Sequence, residues 1–119
     1  MAILIAERND LINDRLKNLV SEACNWLAIY QAKSYNEAIM LFRQHKPSTV
    51  ILDTEFPGNK SVELLKDVKT ANRGIVVIVI TIQTDAHTRK KYVLADYFFD
   101  KYHEFEKIID IIKFNSKMS

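Results

Sequence analysis

The chain has 119 residues, 48% hydrophobic and 27% charged, with 17 Lys and Arg against 15 Asp and Glu for a net charge of +2. That size and apolar share suit one globular domain with a real core and exclude a disordered chain, while the balanced charge argues against nucleic acid or an anionic membrane as a partner. A single cysteine, Cys24, excludes an intrachain disulfide and a Cys-based zinc cluster, and the longest apolar run, Ile75 to Ile80, is far too short for a membrane span.

Ala2 to Ala6 is a continuous apolar run, as expected of a strand buried on both faces. Too short for a signal peptide and without a basic leader, it passes directly into Glu7-Arg8, so a cytoplasmic protein is expected. A helix follows, with Ile12, Leu16, Leu19, Val20 and Ala23 on one stripe and Asn9 or Asp10 placed to cap its start. Cys24 is expected to pack as a small hydrophobe near its end. Trp26 to Tyr30 reads as a second strand. Ser34 and Glu37 form a capping box for a second helix, with Ala38, Ile39 and Phe42 facing inward and Pro47 beyond its end. Thr49 to Leu52 reads as a third strand ending at Asp53, followed by a Pro57-Gly58 turn and a helix that buries Leu64, Leu65 and Val68. Ile75 to Ile80 is six consecutive β-branched residues, a buried strand with Thr81 at its exit. Thr84 to Leu94 reads as a weakly amphipathic helix, anchored by Ala86, Tyr92 and Val93. Tyr97 to Phe99 is a short strand leading to Lys101, and a last helix over about 103–114 buries Phe105, Ile108, Ile109 and Ile112, with a fraying tail from Asn115 to Ser119.

Five β-α units in alternation predict a parallel sheet covered by helices on both faces, a three-layer doubly wound α/β fold with right-handed crossovers. The units use residues 1–119, so a single domain with no output domain is expected. In such sheets ligands bind beyond the carboxyl ends of the strands, at the switch point. Glu7, Asp53, Thr81 and Lys101 all stand at strand exits. A carboxylate there can attack a phosphoryl group and form an acyl phosphate. The transferred group needs cations and hydrogen-bond donors, which Lys101 and Thr81 supply. Each residue alone also suits a structural role: Asp53 as a loop cap, Thr81 as a strand former, Lys101 as a surface lysine. Their joint register is what points to a site.

The segments Ile51-Leu52-Asp53 with Pro57-Gly58, Ile80-Thr81 and Asp96-Tyr97-Phe98-Phe99-Asp100-Lys101, after Ile3-Leu4-Ile5, resemble the receiver domain of two-component response regulators, the CheY-like fold, over essentially the whole chain. The resemblance implies a flavodoxin-like strand order of 2-1-3-4-5. It implies that Asp53 is a phosphoacceptor, served by a sensor histidine kinase or a histidine phosphotransfer protein. Lys101 would contact the phosphoryl group. Thr81 would act as a switch, coupled to an aromatic switch residue, Phe98, on the face made by the fourth helix, fifth strand and fifth helix. The output would be contact with an unidentified downstream protein, and such a domain is not an enzyme beyond assisting its own phosphoryl transfer and dephosphorylation. Mg²⁺ would be held by Glu7, Asp53 and the Glu55 backbone carbonyl.

Four positions depart from that family. Arg8 stands where a second acid ordinarily ligates Mg²⁺, and Arg cannot be a ligand; its guanidinium is expected to occupy the metal's place and pair with Asp53 or a phosphoryl group. Ile82 stands where a small residue is usual and is expected to narrow access to Asp53. Tyr102 replaces a proline after Lys101, and Leu94 replaces a glycine, with strain if that position needs a positive φ. Glu55 and Gln83 occupy places that tune loss of the phosphoryl group. Two functions follow: a stand-alone phosphoryl-accepting receiver or, favoured by Arg8 and Ile82, a degenerate receiver that binds partners without phosphorylation. A flavin-binding domain of the same shape would need a loop rich in Gly, Ser and Thr after the first strand, where Glu7-Arg8-Asn9-Asp10 stands instead.

Overall fold

The computed structural model describes residues 1–56 and 60–118. Its elements alternate as expected: β1 (Ala2–Ala6), α1 (Asp10–Ala23), β2 (Ala28–Ala32), α2 (Tyr35–His45), β3 (Thr49–Asp53), α3 (Ser61–Ala71), β4 (Val76–Thr81), α4 (Ala86–Lys91), β5 (Tyr97–Asp100) and α5 (Phe105–Met118). The Pro57-Gly58 turn lies outside the described residues. All strand pairs are parallel, in the order β2-β1-β3-β4-β5.

Strand alternation divides the core into two layers. On one face Leu4, Val50, Leu52, Val77 and Val79 pack under α2, α3 and the end of α4, against Ala38, Leu64, Leu65, Val68 and Tyr92. On the other, Ile3, Ile5, Ile51, Ile78 and Ile80 meet Leu16 and Val20 of α1 and Phe105, Ile108 and Ile112 of α5. Every residue of β3 is buried, as both faces of a central strand in a doubly wound sheet must be. Cys24 is fully buried at the C-cap of α1, packed as a small hydrophobe.

The helix starts follow their caps. Asn9 accepts from the Ile12 N–H, and Ser34 accepts from the Glu37 N–H at 3.2 Å. Glu37 reaches back to the Lys33 N–H at 2.8 Å, one residue before the cap itself. The α2 helix closes with Lys46 at φ 46°, the one positive-φ non-glycine among the described residues. Leu94 therefore carries no left-handed strain.

Several boundaries move. The second strand begins at Ala28, not Trp26: the Leu27 N–H closes a turn onto the Cys24 carbonyl and Ala28 pairs with Ala2, leaving Trp26 exposed. The helix expected over 84–94 shrinks to Ala86–Lys91. Ala86, Val93 and Leu94 are exposed, and the buried side chains are Thr88 and Tyr92. Thr81 and Asp100 extend β4 and β5 by pairing with each other. The last helix begins at Phe105 and runs on to Met118, so the tail expected to fray is helical up to that residue. No helix among the described residues is long and apolar enough to cross a membrane.

Candidate functional site

The adjacent exits of β1, β3, β4 and β5 converge on one pocket. Asp53 ends β3, Thr81 ends β4, Glu7 follows β1 and Lys101 follows β5. Parallel pairing brings them level, since Ala6 lies opposite Leu52, and Thr81 opposite Asp100. Backbone bonds pin the exits: Glu7 N–H to Ala32 O, Thr54 N–H to Ile80 O and Lys101 N–H to Thr81 O at 2.8 Å. All four side chains are buried, between 0% and 3% exposed.

Charge organises the pocket. The Lys101 ammonium lies 3.0 Å from Asp53 Oδ2 and 3.0 Å from Glu7 Oε2. It is aligned to donate a hydrogen bond to Asp53; its contact with Glu7 is an ion pair off hydrogen-bond geometry. Glu7 Oε1 accepts from the Asn9 N–H at 2.9 Å, which orients the carboxylate. Asn13, fully buried, donates to the Glu7 carbonyl. Burial raises the Glu7 pKa, opposed by the Asn9 hydrogen bond, reinforced by the charge on Asp53 and opposed again by Lys101. Burial alone would lower the Lys101 pKa, but its bonds to the two carboxylates outweigh that and hold it above the ordinary lysine value. Two carboxylates and one ammonium leave the buried cluster with a formal excess of one negative charge.

One atom stands apart. Asp53 Oδ1 is buried and has no hydrogen-bond partner among the described residues, and unlike Glu7 Oε2 it has no ion pair there either. A buried polar atom left in that state costs free energy, so it faces the place where a cation, a donor or a transferred group would sit. That placement tests the fit of Mg²⁺. Mg²⁺ keeps several waters and takes as few as one or two carboxylates. Asp53 Oδ1, Glu7 and the Glu55 carbonyl meet that minimum, although no group of three His, Cys, Asp or Glu able to hold a metal occurs among the described residues.

The expected pairing of Arg8 with Asp53 is not found. Arg8 is exposed, and the cation on Asp53 is Lys101. Glu7, just after β1, is buried in the pocket, and the next residue, on the turn into α1, is exposed. Ile82, next to Thr81, is 46% exposed. Tyr102 donates its N–H to Asp100 Oδ1 at 2.9 Å, as does His103, so a different loop closure, impossible for proline, serves after Lys101. Glu55 and Gln83 are exposed at the pocket's rim. Phe98 is half-buried on the α4 side, its ring 6.4 Å from Tyr92 and 5.0 Å beneath the Arg89 guanidinium.

Three polar residues near the pocket were not legible in the sequence as site residues: Thr54, whose Oγ1 donates to Thr81 Oγ1 at 2.9 Å; Ser61, whose hydroxyl donates to the Thr54 carbonyl; and Tyr92, which reads as a core anchor. The only signal was the hydroxyl immediately after Asp53.

A family model described as the response regulator receiver domain matches residues 3–113. Among curated proteins, the chain is 34% identical to an uncharacterized response regulatory protein of Staphylococcus epidermidis, over 64% of this chain and 31% of that protein. It is 29% identical to sporulation initiation phosphotransferase F of Bacillus subtilis, over 71% of this chain and 69% of that one. The chain spans about a third to a half of the first curated relatives it matches. Among solved structures, the signal receiver domain of a DNA-binding response regulator from Colwellia psychrerythraea superposes with a TM-score of 0.91 at 25% identity, covering 98% of both chains.

Proposed function

The chain belongs to the response regulator receiver family of two-component systems, and from that premise we propose that Asp53 accepts a phosphoryl group. The observation that supports this most directly is the division of labour on one carboxylate. Lys101 holds Oδ2 at 3.0 Å, while Oδ1 is buried without a partner among the described residues. Oδ1 is the nucleophile. It attacks phosphorus of a phosphohistidine on a kinase or phosphotransfer protein; the new O–P bond forms as the P–N bond breaks, and the imidazole leaves with its electron pair. The negative charge gained at Asp53 meets the Lys101 ammonium and the Thr81 hydroxyl, which must turn from Gln83 to reach it. The relative named as a phosphotransferase is consistent with a relay of this kind.

Asp53, Glu7 and the Glu55 carbonyl would hold Mg²⁺, which supplies neutralisation of the phosphoryl oxygens. Arg8 withholds the additional direct ligand and leaves that cation weakly bound. The domain signals by protein contact at the face that includes Phe98 and does not turn over a substrate.

Intact mass after incubation with acetyl phosphate, with and without Mg²⁺ and beside Asp53→Asn, tests the reading. One added phosphoryl group, absent from the variant, is expected. Arg8→Asp should raise Mg²⁺ affinity by roughly tenfold through the added carboxylate. No adduct from acetyl phosphate or from a phosphorylated histidine phosphotransfer domain would transfer the function to binding that is independent of phosphorylation.

A further inference from the structure

A series of hydroxyls leads away from Asp53 to α4. Thr54 Oγ1 donates to Thr81 Oγ1, which in turn donates to the Gln83 carbonyl at 3.2 Å and accepts from the Gln83 N–H at 2.9 Å. On the other side of the same residue, the Thr54 carbonyl accepts from Ser61 Oγ at 3.1 Å and lies 3.4 Å from the Tyr92 hydroxyl. The Ser61 and Tyr92 hydroxyl oxygens are 2.5 Å apart. Either hydroxyl can donate to the other, and each also reaches the Thr54 carbonyl, which can only accept, so the two hydroxyls and that carbonyl form one shared bridge. Ser61 is 1% exposed and Tyr92 6%, which leaves little water to replace either partner.

Tyr92 also ends α4. Its N–H donates to the Arg89 carbonyl, its own carbonyl accepts from the Ala95 N–H, and its ring meets Phe98. A polar cavity of about 460 Å³, lined by Thr54, Glu55, Ser61, Gln83, Thr88 and Tyr92 among others, opens between the β3–α3 loop and α4. Apolar packing therefore does not close this seam. The hydroxyl bridge crosses it. Burial raises the Tyr92 pKa, Ser61 opposes the rise and the charge on Asp53 adds to it, so the phenol senses the acid pocket electrostatically as well.

We propose that Tyr92 is a positioning residue whose hydroxyl, through Ser61 and the Thr54 carbonyl, couples the state of Asp53 to α4 and Phe98. The inference deepens the reading of Asp53 as phosphoacceptor and rests on it for its biological sense. When new negative charge at Asp53 draws the Thr81 hydroxyl, Thr54 Oγ1 loses its acceptor. The Thr54 peptide is then free to reorient, and its carbonyl leaves Ser61 and Tyr92. Tyr92 must then find another partner, and the aromatic contact with Phe98 changes with it. Linkage makes the effect reciprocal: a partner that seizes α4 through Phe98 and Arg89 alters how readily Asp53 takes up a phosphoryl group.

Tyr92→Phe removes the hydroxyl and keeps the ring; Ser61→Ala removes the other end of the bridge. The first measurement needs no phosphoryl transfer: backbone amide NMR shifts caused by Asp53→Asn, recorded with native Tyr92, with Tyr92→Phe and with Ser61→Ala. With native Tyr92 the shifts should extend from Thr54 and Thr81 to Arg89–Val93 and Phe98. In either bridge variant they should persist at Thr54 and Thr81 and vanish at α4 and Phe98. The second measurement is the rate of phosphoryl uptake from acetyl phosphate by intact mass, which should change about fivefold or more in either variant, with no further change in the double variant. A merely stabilising hydrogen bond would lower the melting temperature and leave the α4 shifts in place, and that result overturns the proposal whatever the uptake rates show. Failure of wild-type protein to take up a phosphoryl group overturns the reading of Asp53, while the amide shifts still decide the bridge.

Discussion

Lys101 is the residue on which the acid pocket depends most. It is 3% exposed and 3.0 Å from two buried carboxylates. Lys101→Met would leave Glu7 and Asp53 facing each other without a cation, so it should destabilise the fold by about 3–5 kcal/mol, read by chemical denaturation at neutral pH. Adding Asp53→Asn should restore part of the loss, because a single buried carboxylate remains. The sign of the pH dependence is the same at the two partners, at opposite ends of the pH range. Lys101 has a raised folded pKa, so its contribution is full below about 10.5 and is lost as pH rises through the folded value. Glu7, also raised, favours the folded state below 4.5 and loses that contribution as pH rises through its folded value. Glu7→Gln should therefore gain stability relative to wild type as pH rises from 4.5 toward neutrality. A parallel pair of stability-pH curves would refute that assignment.

At the scale of elements, the caps are where local sequence and geometry agree most closely, and Lys46 is where they disagree. Its φ of 46° at the C-cap of α2 is a place where glycine is ordinarily preferred. Lys46→Gly should raise stability by about 0.5–1 kcal/mol, the left-handed penalty less the added entropy of the unfolded chain; a fall in the denaturation midpoint would mean that the lysine stem packs more usefully than its backbone suffers. The α4 helix shows the opposite case. It is six residues long, too short to be stable alone. Its start is fixed by Asp85, which accepts from the Thr88 N–H at 2.8 Å, and its end by Tyr92. Weak amphipathicity over 84–94 located this helix and its buried Tyr92 but overran its bounds, because Val93 and Leu94 are exposed and contribute nothing to the inward face.

For the whole molecule, stability should follow position in the sheet. Ile78 is fully buried in β4, paired with Ile51 and Tyr97 on its two sides. Ile78→Ala should cost about 2–5 kcal/mol, whereas the same change at half-buried Ile29 in the edge strand β2 should cost about 1 kcal/mol or less. Equal losses would mean that the two-layer division of the core misplaces the load. The sheet is also what makes the site. Four residues spread from position 7 to position 101 meet because parallel pairing sets the exits of neighbouring strands level.

Much of this was legible one residue at a time. The apolar runs at Ala2–Ala6, Thr49–Leu52 and Ile75–Ile80 identified strands because a strand buried on both faces has no polar alternation to confuse it. The residues at strand exits identified Asp53, Thr81 and Lys101 because chemistry in such sheets gathers there. The sequence by itself determined the elements, their order along the chain and the four charged and hydroxyl residues at the strand exits, since periodicity and capping are local. Only the tertiary structure decided that Lys101 rather than Arg8 meets Asp53, and that Ser61 and Tyr92, 31 positions apart, share a hydrogen bond. Each of those outcomes depends on which way a side chain leaves its loop and what lies across the seam, and neither is encoded in the spacing of residues along one strand or helix.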